Sequence, residues 1–144
     1  MVVIDGRTWL EYIQPPACWD LLSSAHVGRV GVVVDSAPEI YPVNFVVDQQ
    51  SIVFRTDPGS KLRGLDRSPS VCFEVDAIDP EECTGWSILV KGRAVELVTG
   101  EELRKVVTLP LRPWAHGAKA HWIRIRPEQV TGRRIHGPVE AGPG

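Results

Sequence analysis

The chain has 144 residues, 43% hydrophobic and 24% charged, with a formal net charge of −2 and a pI near 6.1. That is the size of one ordinary domain with enough chain to bury a core, and its charge balance offers no lure for nucleic acid. Three cysteines (Cys18, Cys72 and Cys83) are too few and too irregularly spaced for a disulfide framework or a zinc knuckle.

No run approaches the roughly 20 apolar residues that span a bilayer, and the N-terminus lacks the basic-then-apolar pattern of a signal peptide. The expectation is a cytoplasmic protein with neither nucleic-acid nor membrane partners.

In chain order, the mixed opening ends at Pro15-Pro16, which is expected to stop any element there. Cys18 to Ala25 reads as a short helix with Trp19, Leu21, Leu22 and Ala25 on one side. Arg29 to Val34 is a β-branched strand closed by Asp35-Ser36-Ala37-Pro38. Ile40 to Val47 and Ser51 to Thr56 form a hairpin about Asp48-Gln49-Gln50, with Ile52 and Phe54 opposite Val53 and Arg55. Ser60 opens a short helix to about Asp66.

Ser70 to Asp76 alternates as a strand, and Gly85 to Val98 is the longest one, with Gly92 marking a bulge or sharp bend. Gly100 to Leu109 reads as a helix, Pro110 to Gly117 wanders, and Ala120 to Arg126 is a sixth strand. The tally is α+β and mainly β: six short antiparallel strands, favouring a small barrel over an open sheet, with short flanking helices.

Chemistry concentrates in Phe54-Arg55-Thr56-Asp57-Pro58-Gly59-Ser60-Lys61. A strand ends in a cation and a hydroxyl, a glycine turn follows, and a helix begins with Ser60 and Lys61. Main-chain N–H groups at a helix start favour an anion; Arg55 offers a planar fork and Lys61 a point charge. An ordinary hairpin exit with a capping serine is the plainer reading of the same residues. His116 and His121 have no carboxylate or thiol pattern around them, so no metal site is expected. Nucleophile-elbow and dinucleotide-fingerprint motifs are both missing.

Arg55-Thr56 followed by Gly59-Ser60-Lys61 resembles the phosphate-binding segment of the pyridoxamine 5′-phosphate oxidase-like flavoproteins. Tyr41-Pro42-Val43-Asn44, Phe73-Glu74-Val75-Asp76, the run from Gly85 to Ala94, and Thr131-Gly132-Arg133-Arg134 fit the same family in order. The resemblance implies a six-stranded antiparallel split β-barrel over 17–136, after an N-terminal extension 1–16 and before a flexible tail 137–144. It implies FMN bound in a groove of a homodimer. Arg55, Thr56, Ser60 and Lys61 would hold the phosphate, Val43 and Asn44 would lie against the ring, and Trp86 and Ser87 would approach from the long strand.

The implied activity is flavin-dependent oxidoreduction of a small-molecule redox substrate through the flavin N5, with no catalytic residue assigned. A non-catalytic flavin carrier or sensor is the alternative. So are two relatives on the same barrel: a deazaflavin (coenzyme F-420) reductase, whose acidic tail the basic C-terminal strand could meet, and a haem protein, for which His116 or His121 would be the axial ligand. Arg134-Ile135-His136 has the spacing of the founding enzymes' substrate motif but precedes a Gly/Pro tail, and reads as coincidence. Arg124, Arg126, Arg133 and Arg134 could pair with the acidic stretch Asp76 to Glu82 at a dimer seam, extend the anion site, or be solvated.

Overall fold

The computed structural model describes residues 3–4, 10–115, 117 and 119–137, with side chains at all of these except 3, 4 and 60–62. The elements run β1 (Val3–Ile4), β2 (Leu10–Ile13), α1 (Pro15–Ser23), β3 (Val27–Val34), β4 (Ala37–Val47), β5 (Ile52–Thr56), α2 (Ser60–Arg67), β6 (Ser70–Asp79), β7 (Thr84–Leu97), α3 (Gly100–Val106) and β8 (His121–His136). All pairings are antiparallel, in the order β1-β2-β8-β5-β4-β3-β6-β7, and β7 also pairs with β8. That last pairing closes six strands into a barrel, while β1 and β2 hang from the far end of β8.

Two tight hairpins set the register of the first barrel strands. Asp35 and Ser36 (φ 49° and 66°) turn β3 into β4, and Gln49 and Gln50 (φ 50° and 54°) turn β4 into β5. Positive φ at both central residues gives the backbone twist that matches paired strands. Asp48 and Ser51 close the second turn with reciprocal main-chain bonds of 3.0 Å. Ala37 and Pro38, expected in the first turn, already belong to β4.

Alternation along the strands fills the barrel. Val30, Phe45, Ile52, Phe54, Phe73, Val75, Ile88, Val90, Ile123 and Ile125 are each no more than 2% exposed. Phe45 and Phe73 meet edge to face at 4.9 Å. Helix α1 adds Cys18, Trp19 and Leu22 to this core. Pro15 and Pro16 begin that helix rather than ending an element: proline's missing N–H is no loss in the first turn, and its fixed φ suits it. β2, in the stretch read as an extension, pairs with β8.

A second apolar cluster lies on the outer face, where Val53, Leu97, Val106 and Leu111 pack under α3 and the segment after it. β5 is therefore buried on both faces. α3 is shorter than expected and stops at Val106.

β8 runs ten residues past the expected end at Arg126, to His136. The ladder absorbs Pro127 and the polar run after it. Lys91 pairs with Gln129 and Gly92 with Pro127, leaving Glu128 as the extra residue of a bulge. A proline is tolerated at such a point, and Gly92 is required there, since an added Cβ would sit 2.2 Å from the Arg126 carbonyl oxygen. The tail 138–144 lies outside the described residues.

Phe73→Ala should lower the unfolding free energy by about 3–5 kcal/mol, through lost burial plus a residual cavity. Urea denaturation checks it; a cost under about 1 kcal/mol contradicts this account of the core.

Candidate functional site

β5 delivers its last two residues to the start of a sharp turn. Thr56 is 3% exposed and its hydroxyl donates to the Asp57 carbonyl at 3.1 Å. Arg55 is half-buried, with its guanidinium 4.8 Å from the centre of the Trp122 ring and Nε donating to the Lys119 carbonyl at 2.9 Å. Gly59 then takes φ 152° and ψ −162°, and α2 starts at Ser60 without a side-chain cap. Glycine reaches that conformation without the strain another residue would carry. Ser60 and Lys61 open the helix, but their side chains lie outside the described residues.

The β4–β5 ladder pairs Phe45 with Phe54 and Val46 with Val53. Continued by its own register, it sets Asn44 across from Arg55 on the outer face and Val43 across from Thr56 on the inner one. Val43 is accordingly core, 6% exposed, and offers a ligand only its main chain. Asn44 Oδ1 accepts the Trp114 N–H at 2.7 Å. Asn44 and Arg55 thus anchor two points of the segment between α3 and β8.

A third anchor was not legible locally. Lys119 N–H donates to Asp57 Oδ1 at 2.6 Å, and Lys119 Nζ lies 2.9 Å from Asp57 Oδ2. Nothing in the wandering stretch after Pro110 signals that role; the partner lies 62 residues away.

Trp86 and Ser87 are not brought to this turn. On β8 they pair with Arg134 and Arg133, whereas Arg55 pairs with Trp122. Twelve residues separate Trp122 from Arg134, about 40 Å of strand at the usual rise per residue. Trp86 instead borders a groove of about 440 Å³ with Ile78, Arg134, Ile135 and His136. Arg134 Nε is buried there without a hydrogen-bond partner among the described residues.

The other arginines serve the framework. Arg124, 7% exposed, pairs with Asp48 at 3.0 Å, and its Nε lies 2.8 Å from Glu102 in an ion pair short of hydrogen-bond alignment. It also donates to Ser51 Oγ, and Arg126 reaches Glu102 at 3.3 Å. These contacts tie α3 and the β4–β5 turn to β8, and within the chain both arginines meet carboxylates other than Asp76 to Glu82. His121 Nδ1 meets Glu96 at 2.7 Å, His136 pairs with Glu11, and His116 lies outside the described residues. No three metal-ligating side chains gather among the described residues, and no helix there is long and apolar enough to cross a membrane.

On the outer face of β3 and β6, Arg29 sits 3.5 Å from both Glu74 and Asp76. Partial burial, then the neighbouring Asp76 carboxyl, pushes Glu74 up to about 7 against the opposing pull of Arg29.

These features define a closed antiparallel barrel carrying a cation-rich turn at one end of its longest strand. A family model for pyridoxamine 5′-phosphate oxidase matches residues 14–134, and the chain belongs to that family. An uncharacterised protein of Mycobacterium tuberculosis is 37% identical over 120 residues, covering 80% of this chain and 78% of that one.

Among solved structures, a pyridoxamine 5′-phosphate oxidase-like protein of Corynebacterium glutamicum superimposes with a TM-score of 0.77 at 31% identity, covering 88% of this chain and 98% of that one. An FAD binding protein from Mycobacterium smegmatis gives 0.71 at 36% identity, covering 86% and 97%.

Glu74 carries a pH signature. Its folded-state affinity for a proton is raised from an ordinary value of 4.5 to about 7, so between those values the folded chain holds more protons than the unfolded one. Stability therefore falls as pH rises through that window. Urea midpoints at about pH 5 and about pH 7.5 should show that fall in the wild type and a flatter response in Glu74→Gln; equal slopes remove the assignment.

Proposed function

We propose that this chain is a flavin-dependent oxidoreductase that binds FMN by its phosphate in a site shared by two copies of the chain. The observation that carries this is the turn itself. Arg55 is the penultimate residue of the strand that leads, four residues on, through Gly59 into the uncapped start of α2, and helix-start N–H groups with a guanidinium on the adjoining strand suit a phosphate. Arg55 and the main chain from Gly59 onward would hold the anion, joined by Ser60 and Lys61 from the sequence, while the buried Thr56, whose hydroxyl already donates to the Asp57 carbonyl, would brace the turn. A bound flavin supplies hydride or electron exchange at its ring. The protein's part is to hold the phosphate, orient the ring along β4 near Asn44 and exclude water; a small-molecule redox partner completes the reaction.

The distance along β8 is what brings a second copy into this reading. If Trp86 and Ser87 meet the same cofactor as Arg55, they must come from the other chain. The outer face of β3, β4 and β6 suits a second copy, for Ile40 is 73% and Val33 39% exposed beside an open groove of about 630 Å³. FAD, named for the Mycobacterium smegmatis relative, carries the same ring and its phosphates would meet the same turn. Deazaflavin is tested alongside.

Titrating FMN, FAD, riboflavin and the deazaflavin into purified protein should quench tryptophan fluorescence with the phosphate-bearing flavins, and Arg55→Ala should weaken FMN by about tenfold or more. Light scattering should give a dimer. Bleaching of the bound flavin by reduced nicotinamide, reversed by an acceptor, separates enzyme from carrier. If no flavin binds to the wild type, the proposal fails.

A further inference from the structure

We propose that Lys119 is a further phosphate ligand of this site, held until cofactor arrives by Asp57, whose carboxylate occupies the ammonium as a stand-in anion. The inference rests on the flavin reading of the turn. Within 55–63 the sequence places three cations, Arg55, Lys61 and Arg63, with one carboxylate, Asp57; the fold adds a fourth cation, Lys119, at that carboxylate.

Lys119 is fixed by its main chain at two points. Its N–H donates to Asp57 Oδ1 at 2.6 Å and its carbonyl accepts from Arg55 Nε at 2.9 Å. It adopts φ 45°, a region that non-glycine residues rarely occupy unless surrounding contacts over-determine it. Asp57 also closes against Gly117, where an added Cβ would lie 2.5 Å from Oδ2.

None of these restraints requires an amine. The side chain adds a charge that is only 21% exposed and 2.9 Å from Asp57 Oδ2, one residue from Thr56 and three from the first residue of α2. A phosphate seated between Arg55 and the start of α2 offers that ammonium a stronger partner than a single carboxylate, because its oxygens carry more charge and more acceptor positions. Asp57 then acts as the opposing charge that sets how strongly the site prefers a phosphorylated flavin over its dephosphorylated form.

The test compares dissociation constants for FMN and riboflavin in the full-length chain, with Arg55→Ala as reference. Lys119→Gln should lose about tenfold on FMN and change riboflavin by less than about threefold; Lys119→Arg should restore most of the loss. Asp57→Asn should bind FMN at least as tightly as wild type and raise the FMN-to-riboflavin preference. Equal losses for both flavins in Lys119→Gln would make the residue a structural clamp and overturn the inference, as would unchanged FMN affinity or weakened FMN binding in Asp57→Asn. A wild type that binds neither flavin sinks the phosphate reading itself. One that binds FMN and responds at Arg55 but not at Lys119 sinks only this step.

Discussion

Along one edge β8 pairs with β7 from end to end, while along the other it serves β5 with its first five residues and β2 with four near its end. That division of edges closes the six-stranded barrel and leaves it split. A strand sixteen residues long cannot stay flat and in register around a closed wall, since closure demands tilt and local bending. The bulge at Glu128, with Gly92 and Pro127 facing each other, supplies the bend. Both ends of the molecule, and hence both groups of candidate site residues, are placed by this one strand.

The first half of β8 also explains the outer layer. Trp122 and Arg124 point away from the barrel interior, the first beneath the Arg55 guanidinium and the second into ion pairs with Asp48 and Glu102. A buried arginine must be paired or it costs several kcal/mol in lost hydration, and here two carboxylates from separate elements meet it. The result fastens α3 against Val53 and Leu97 and delivers the following segment to Asn44 and Arg55. The same side chains that would hold a cofactor also organise the segment covering them.

The second half of β8 sets Trp86, Arg133 and Arg134 at the opposite end from that turn. The barrel so built leaves polar and aromatic groups at remote ends and exposes Ile40 and Val33. The match to the pyridoxamine 5′-phosphate oxidase family spans both ends, from residue 14 to residue 134.

Alternation and turn chemistry made most of the barrel strands, the β4–β5 hairpin, the turn after β3, the Gly92 irregularity and the Arg55-Thr56-Gly59-Ser60 turn readable from the chain, because each is a local matter of which face a side chain takes and which residues tolerate a given φ. Pro15-Pro16 misled for the same reason: proline's local meaning depends on whether its missing N–H falls in a helix's first turn, which only the folded structure decides. The partners of Lys119 and Arg124 were equally out of reach. Asp57 lies 62 residues from the one and Asp48 76 from the other, and contacts at such separations follow from barrel closure, which leaves no periodic trace in sequence.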